Sequence, residues 1–221
     1  MSGPQCCSNP PILSPNAGNG NVEKVGGLPC YLTASPHSNL AVLMLSDIFG
    51  YEAPLLRKLA DNVAAAGYYV VVPDLLEGDP FKPDGSLDNL PVWLKDHGPV
   101  NPLNLFSLSL SAKVAVELAK SRLIQTAVLL HPAFLSVDDF KVVDTPIAIL
   151  GAESDKYCPP ELVKEFEEIL AAKPGVSSFV KIYPGVEHGW AVRYDTEDAE
   201  AVKAAEEAHK DLLDWLAKHL K

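Results

Sequence analysis

Ala41-Val-Leu-Met-Leu-Ser-Asp-Ile-Phe-Gly-Tyr51 is the stretch from which the fold class is read. Its first five residues are apolar without a break and stop at Ser46-Asp47, as a strand buried on both faces does. Leu55, Leu59, Val63 and Ala66 then share one helical stripe, and Gly67 stands where a C-terminal cap belongs. Tyr68-Tyr-Val-Val-Val72 is a second buried strand, halted by Pro73-Asp74. Further along, the pattern predicts a short helix around 91–95 in a turn-rich stretch, a helix over 113–123, and strands over 127–130 and 147–150. A helix over 161–171 and an alternating strand over 178–183 follow. The closing helix carries Ala201, Ala205, Ala208, Leu212, Leu216 and Leu220 on one face. Strands alternating with helices imply right-handed βαβ units, hence an α/β fold with a mostly parallel sheet covered by helices on both faces. One domain is expected over 21–221, after a loosely ordered lead-in over 1–20 that is rich in Pro, Ser, Asn and Gly.

The 221 residues carry 18 Lys and Arg against 29 Asp and Glu, a formal net charge of −11. No basic footprint is available for nucleic acid, and an anionic membrane surface is disfavoured for the same reason. No apolar run approaches the roughly 20 residues that span a bilayer. The N-terminal residues have neither the charged nor the apolar segment of a secretory signal, so a cytoplasmic protein is expected. The cysteines Cys6, Cys7, Cys30 and Cys158 match neither a CxxC redox motif nor zinc spacing, so neither a disulfide framework nor a structural metal is expected.

In sheets of this kind, catalytic groups gather beyond the carboxyl ends of the strands. Two such ends fit one mechanism: Gly151-Ala-Glu-Ser-Asp155 offers an acid, and Gly185-Val-Glu-His188-Gly189 offers a histidine in the next strand's loop. Acid then histidine is the order in which α/β-hydrolases carry these two groups, after a nucleophile on a sharp strand-to-helix turn. Asp155 also stands where it could cap the helix opened by Pro159-Pro160-Glu161. His131 reads as a structural residue bonding a neighbouring loop, and Asp74 as a brace for its own turn. Trp190 and Tyr194 suit a pocket lining and a core equally well. A flavodoxin-like binding domain offers no role for His188.

Four stretches, 46–51, 67–74, 151–155 and Pro184-Gly-Val-Glu-His-Gly-Trp-Ala-Val-Arg-Tyr194, resemble the dienelactone hydrolase family, in particular its eukaryotic, plant-type branch. The resemblance runs from about Val22 to the C-terminus. It implies an α/β-hydrolase fold and a cofactor-free Cys-His-Asp triad acting on small esters or lactones, with Asp155 and His188 as acid and histidine. Asp47 matches a bacterial Glu that contacts the nucleophile. The Ile48 amide would supply one oxyanion donor and the residue after the nucleophile the other. Arg193, by rough position, would be a carboxylate-binding group for substrate, with Trp190 as a candidate pocket lining. The resemblance leaves the oligomeric state open.

The family's elbow, of Gly-Phe-Cys-Trp-Gly type, precedes a helix beginning Ala-Lys-Val-Ala. Here Ala112-Lys-Val-Ala115 is present, but the residues before it read Phe106-Ser-Leu-Ser-Leu-Ser111. Ser109 falls at the nucleophile position, Leu110 supplies the second oxyanion amide, and Ser107 and Ser111 replace the glycines. A Cβ at those places obstructs a strained turn. Two readings stay open. Residues 103–110 form a replacement strand with Ser109 as a serine nucleophile, reached by an ample 28-residue crossover over 75–102. In the other, the pyrimidine-rich codons of this Phe/Ser/Leu run mark a transcript mis-spliced across the nucleophile strand, leaving a catalytically inactive hydrolase-like scaffold.

Overall fold

Gly26 and Gly27 hold φ of 61° and 91°. Two successive left-handed residues make the tight turn whose twist suits a hairpin. Val25 therefore faces Leu28, and β1 (Asn21–Val25) pairs antiparallel with β2 (Leu28–Ala34). The sequence reading passed over this hairpin, although Gly-Gly between strand-like segments is its signal. The computed structural model describes residues 10–34, 38–83, 89–97 and 110–221. They fall into two compact units, Pro10–Ser111 and Ala112–Lys221.

The first unit adds β3 (Ala41–Leu43), α1 (Pro54–Ala65), β4 (Tyr69–Pro73) and α2 (Leu90–His97). Its sheet has the order β1-β2-β4-β3, with β2–β4 antiparallel and β3–β4 parallel. In α1 the buried apolar stripe is Leu56, Leu59, Ala60, Val63 and Ala64. Leu55 and Ala66, expected on that stripe, flank it instead, the first half-buried and the second exposed. Gly67, at φ 108°, ends the helix as expected, its N–H donating to the Ala64 carbonyl. The strand expected over 41–45 is only three residues long, and it is not buried on both faces: Leu43 is 50% exposed. Among the described residues β3 pairs with β4 alone. A parallel strand is buried on both faces only when the layers around it are complete.

α3 (Leu110–Ser121) leads into the second unit, which holds β5 (Ala127–Leu130), α4 (Val137–Lys141), β6 (Ile147–Ser154), α5 (Pro160–Ala171), β7 (Ser178–Glu187) and α6 (Ala199–His219). Here β5, β6 and β7 pair in parallel, in that order. Phe140 and Phe166, with ring centroids 4.2 Å apart, join Ile147, Ile149, Val163 and Leu170 in one core. Full burial of each such side chain contributes about 1.5–3 kcal/mol. The closing helix buries Ala205, Ala208, Leu212 and Leu216, as its periodicity predicts, and also His209 and Trp215. One continuous sheet was expected; the described strands form two. Residues 103–109, read as a replacement strand, lie outside the described residues, and Leu110 opens a helix rather than closing a strand.

Candidate active site

β5, β6 and β7 run parallel, so their carboxyl ends lie along one edge of the sheet. The next residues in the chain are His131 after Leu130, Asp155 after Ser154 and His188 after Glu187. His188 Nδ1 lies 2.6 Å from Asp155 Oδ2. Both side chains are buried, at 6% and 1% exposure. Since a carboxylate only accepts, Nδ1 carries the hydrogen and donates, which leaves Nε2 as the basic nitrogen. The other carboxylate oxygen, Oδ1, accepts from the backbone N–H of Tyr157 (2.8 Å) and of Cys158 (3.2 Å). Asp155 thus braces the turn before α5 and grips the imidazole at once. It is not the cap of α5, a place taken by Pro159.

The loop around His188 is shaped by Gly189 and Arg193. Gly189 holds φ 91°, and a Cβ there would come within 1.9 Å of the Arg193 guanidinium. Arg193 Nη2 donates to the His188 carbonyl at 3.2 Å. Arg193, expected to face substrate, is buried at 7% exposure and braces the backbone of the histidine loop. Trp190 is equally buried and packs on Tyr183, ring centroids 5.1 Å apart, among core residues; Tyr194 is buried too. The neighbouring-loop bond expected of His131 is not seen from its Nε2, which meets no hydrogen-bond partner among the described residues. The His131 ring lies edge-to-face against His188, 5.1 Å between centroids. That contact is invisible in sequence, because it depends on where β5 and β7, on either side of β6, come to an end.

In the first unit, Asp47 Oδ1 accepts from the Phe49 N–H, and the Asp47 carbonyl accepts from Gly50. Ile48 is buried and its carbonyl accepts from Phe81. Asp74 braces its turn as expected, accepting from the Leu76 N–H; burial raises its carboxyl pKa above the usual range. Ser111, a presumed misfit for a glycine, donates its hydroxyl to the Ser46 carbonyl, three residues beyond β3. Leu110 is the first residue of α3, where amide N–H groups have no helical acceptor. Ser109 and Ser107 lie outside the described residues. Both described cysteines are buried, and Cys158 is no ready thiolate nucleophile. Cys158 is pushed up to about 12, first by burial and then by Asp155, while Cys30 is buried with its thiol directed at the Leu28 carbonyl. Among the described residues no three His, Cys, Asp or Glu side chains gather as a metal site, and no helix is long and apolar enough to cross a membrane.

The chain matches the dienelactone hydrolase family over residues 28–95 and 110–220. It is 38% identical to an endo-1,3;1,4-β-D-glucanase of Zea mays over 75% of this chain and 61% of that protein, so the match spans less than two thirds of the maize enzyme. Identity to the hydrolase pyvD of Aspergillus violaceofuscus is 30%, over 98% and 97% of the two chains. That alignment runs over 239 positions against 221 residues here, so at least 18 positions of the relative have no counterpart. A carboxymethylenebutenolidase homolog of Mus musculus is 26% identical over 92% of each chain. Among solved structures, a dienelactone hydrolase from Anabaena variabilis superposes with TM-score 0.58 at 13% identity, covering 92% and 98% of the chains. An esterase from Pyrococcus furiosus gives 0.60 at 16% identity, covering 96% and 100%. The fold is that of the α/β-hydrolases, and a small-molecule substrate is implied. The Asp155–His188 pair and these likenesses together assign the chain to the dienelactone hydrolase family.

Proposed function

We propose that this chain hydrolyses small carboxylic esters or lactones in the cytoplasm, through a Ser109–His188–Asp155 triad with oxyanion donors at the Ile48 and Leu110 amides. Residue type and chain order assign Ser109, Ile48 and Leu110 to these roles. The observation that carries the reading is the buried 2.6 Å bond from His188 Nδ1 to Asp155 Oδ2, with Asp155 held by two further N–H donors. His188 Nε2 takes the proton of Ser109 Oγ as that oxygen attacks the carbonyl carbon. Collapse of the tetrahedral intermediate expels the alkoxide, which takes the proton back from His188. Water, deprotonated by His188, then releases the carboxylic acid and restores Ser109. Nucleophile, base and acid suffice, so no cofactor enters. Glycoside hydrolysis, suggested by the maize relative's name, ordinarily needs a pair of carboxylates across the glycosidic bond, whereas Asp155 is committed to a histidine. The free, buried thiols of Cys30 and Cys158 support a reducing compartment.

A second reading is favoured by one observation: the family match breaks between 95 and 110, where the nucleophile belongs. In that reading the chain is the mis-spliced, inactive scaffold, with an acid–base pair but no attacking group. Labelling with a fluorophosphonate, followed by mapping of the modified residue, separates the two. Modification of Ser109 that disappears in His188→Ala, with hydrolysis of an activated ester falling at least about 10³-fold, supports the triad. No labelling at Ser109 in folded protein overturns it.

A further inference from the structure

His131 carries two costs that an ordinary packing residue would avoid. Its φ is 38°, in the left-handed region where side chains are strained, although histidine is among those more often found there. Its Nε2 is buried without a partner among the described residues, where an apolar ring would lose nothing. Among the described residues no hydrogen bond from Nε2 accounts for the position of the ring. What it touches is His188, edge-to-face at 70°, and Trp190, 5.7 Å away at 69°. Its backbone N–H, donating to the Leu150 carbonyl at 2.8 Å, ties it to β6, whose end carries Asp155.

With the ring tethered through Cβ, the hydrogen bond from Nδ1 to Asp155 narrows χ1 and χ2 of His188 and leaves the remaining tilt of the ring to be set by packing. A base must present Nε2 in one direction, so the plane has to be fixed as well. Tyr157 supplies one edge-to-face contact, 5.4 Å between centroids at 63°, and His131 supplies the other. We propose that His131 is a positioning residue, a ring whose edge-to-face contact fixes the plane of the His188 imidazole. The inference rests on the triad reading for its effect on turnover, but not for its effect on the ring. His188 and Arg193 are the charged or titratable groups that bear on His131, and burial first, then these two, hold its pKa well below the ordinary 6.5. A neutral neighbour does not repel the imidazolium that forms on His188 during turnover.

The test compares ringless and ring-bearing variants of the full chain. His131→Asn tolerates the left-handed backbone but removes the ring; His131→Leu also removes it and keeps the site apolar; His131→Phe keeps it. Turnover of an activated ester is expected to fall about 10-fold or more in kcat for Asn and Leu, with KM within about twofold, and to recover most of that loss in Phe. A second readout does not depend on turnover. The low-field proton resonance of His188 Nδ1–H, identified by its loss in His188→Gln, should broaden in Asn and Leu and sharpen again in Phe. If wild type hydrolyses nothing, the triad reading fails while this resonance still decides the role of His131. Folded ringless variants with unchanged kcat and resonance overturn the proposal, as does a Phe variant that behaves like them.

Discussion

Asp155 accepts from three donors, and only one of its oxygens faces His188. In Asp155→Asn the side-chain carbonyl keeps the two backbone bonds, and the amide nitrogen points at His188 Nδ1. That nitrogen donates, which forces Nδ1 to accept and moves the ring hydrogen to Nε2. The base is then blocked with the fold intact, so kcat should fall about 10³–10⁴-fold while the melting temperature changes little. Stopped assays beside a thermal melt check both halves. His131 makes the complementary point about pH. Its folded pKa lies below the ordinary 6.5, so the unfolded chain binds the extra proton first. Its contribution is complete above pH 6.5 and is lost as pH falls below it, at a slope of up to about 1.4 kcal/mol per unit. Urea unfolding between pH 7 and 5 should show the decline in wild type, and His131→Phe should flatten it. Asp155 and His188 were legible in sequence because strand ends and chain order mark them. His131 was legible only as a strand end, since its significance lies in a ring contact between strands.

The turn Leu76–Asp79 closes with the Asp79 N–H on the Leu76 carbonyl, and both central residues are left-handed, Glu77 at φ 53° and Gly78 at φ 81°. Asparagine suits such a position better than glutamate, whose charge also raises the pKa of the buried Asp74. Glu77→Asn is expected to stabilise by about 0.5–1 kcal/mol, read as a shift in urea midpoint at constant slope. Gly189 is the opposite case: Gly189→Ala places a methyl group into Arg193 at a left-handed position, and should cost at least about 2 kcal/mol together with activity. Most helices and strands were legible because their apolar periods are long and clean. The β1–β2 hairpin was missed because β1 is exposed along its whole length and offers no apolar alternation.

Across the chain, the described strands end two sheets with parallel strands, β3 and β5, each paired on one side only. Leu43 on β3 is half exposed. Unpaired strand edges invite association. The native chain is therefore expected to show an apparent mass by light scattering that climbs with concentration. A version carrying a family-type helix–strand segment before Ala112 should remain monodisperse and melt more cooperatively; equal behaviour of the two would show that residues 103–109 already form an adequate strand. Continuity of the sheet was not legible in sequence, because periodicity locates strands but says nothing about whether each finds both neighbours.

The hydrogen bonds described around Asp155 and His188, from the Tyr157 and Cys158 amides to the Arg193 brace, are made within Ala112–Lys221. The segment where the family match breaks lies wholly before it. On the proposed triad, proton handling and nucleophilic attack thus fall to separate stretches of the chain. A change confined to residues before Ala112 would alter the attacking group on that proposal and leave the hydrogen bonds around Asp155 and His188 as they are.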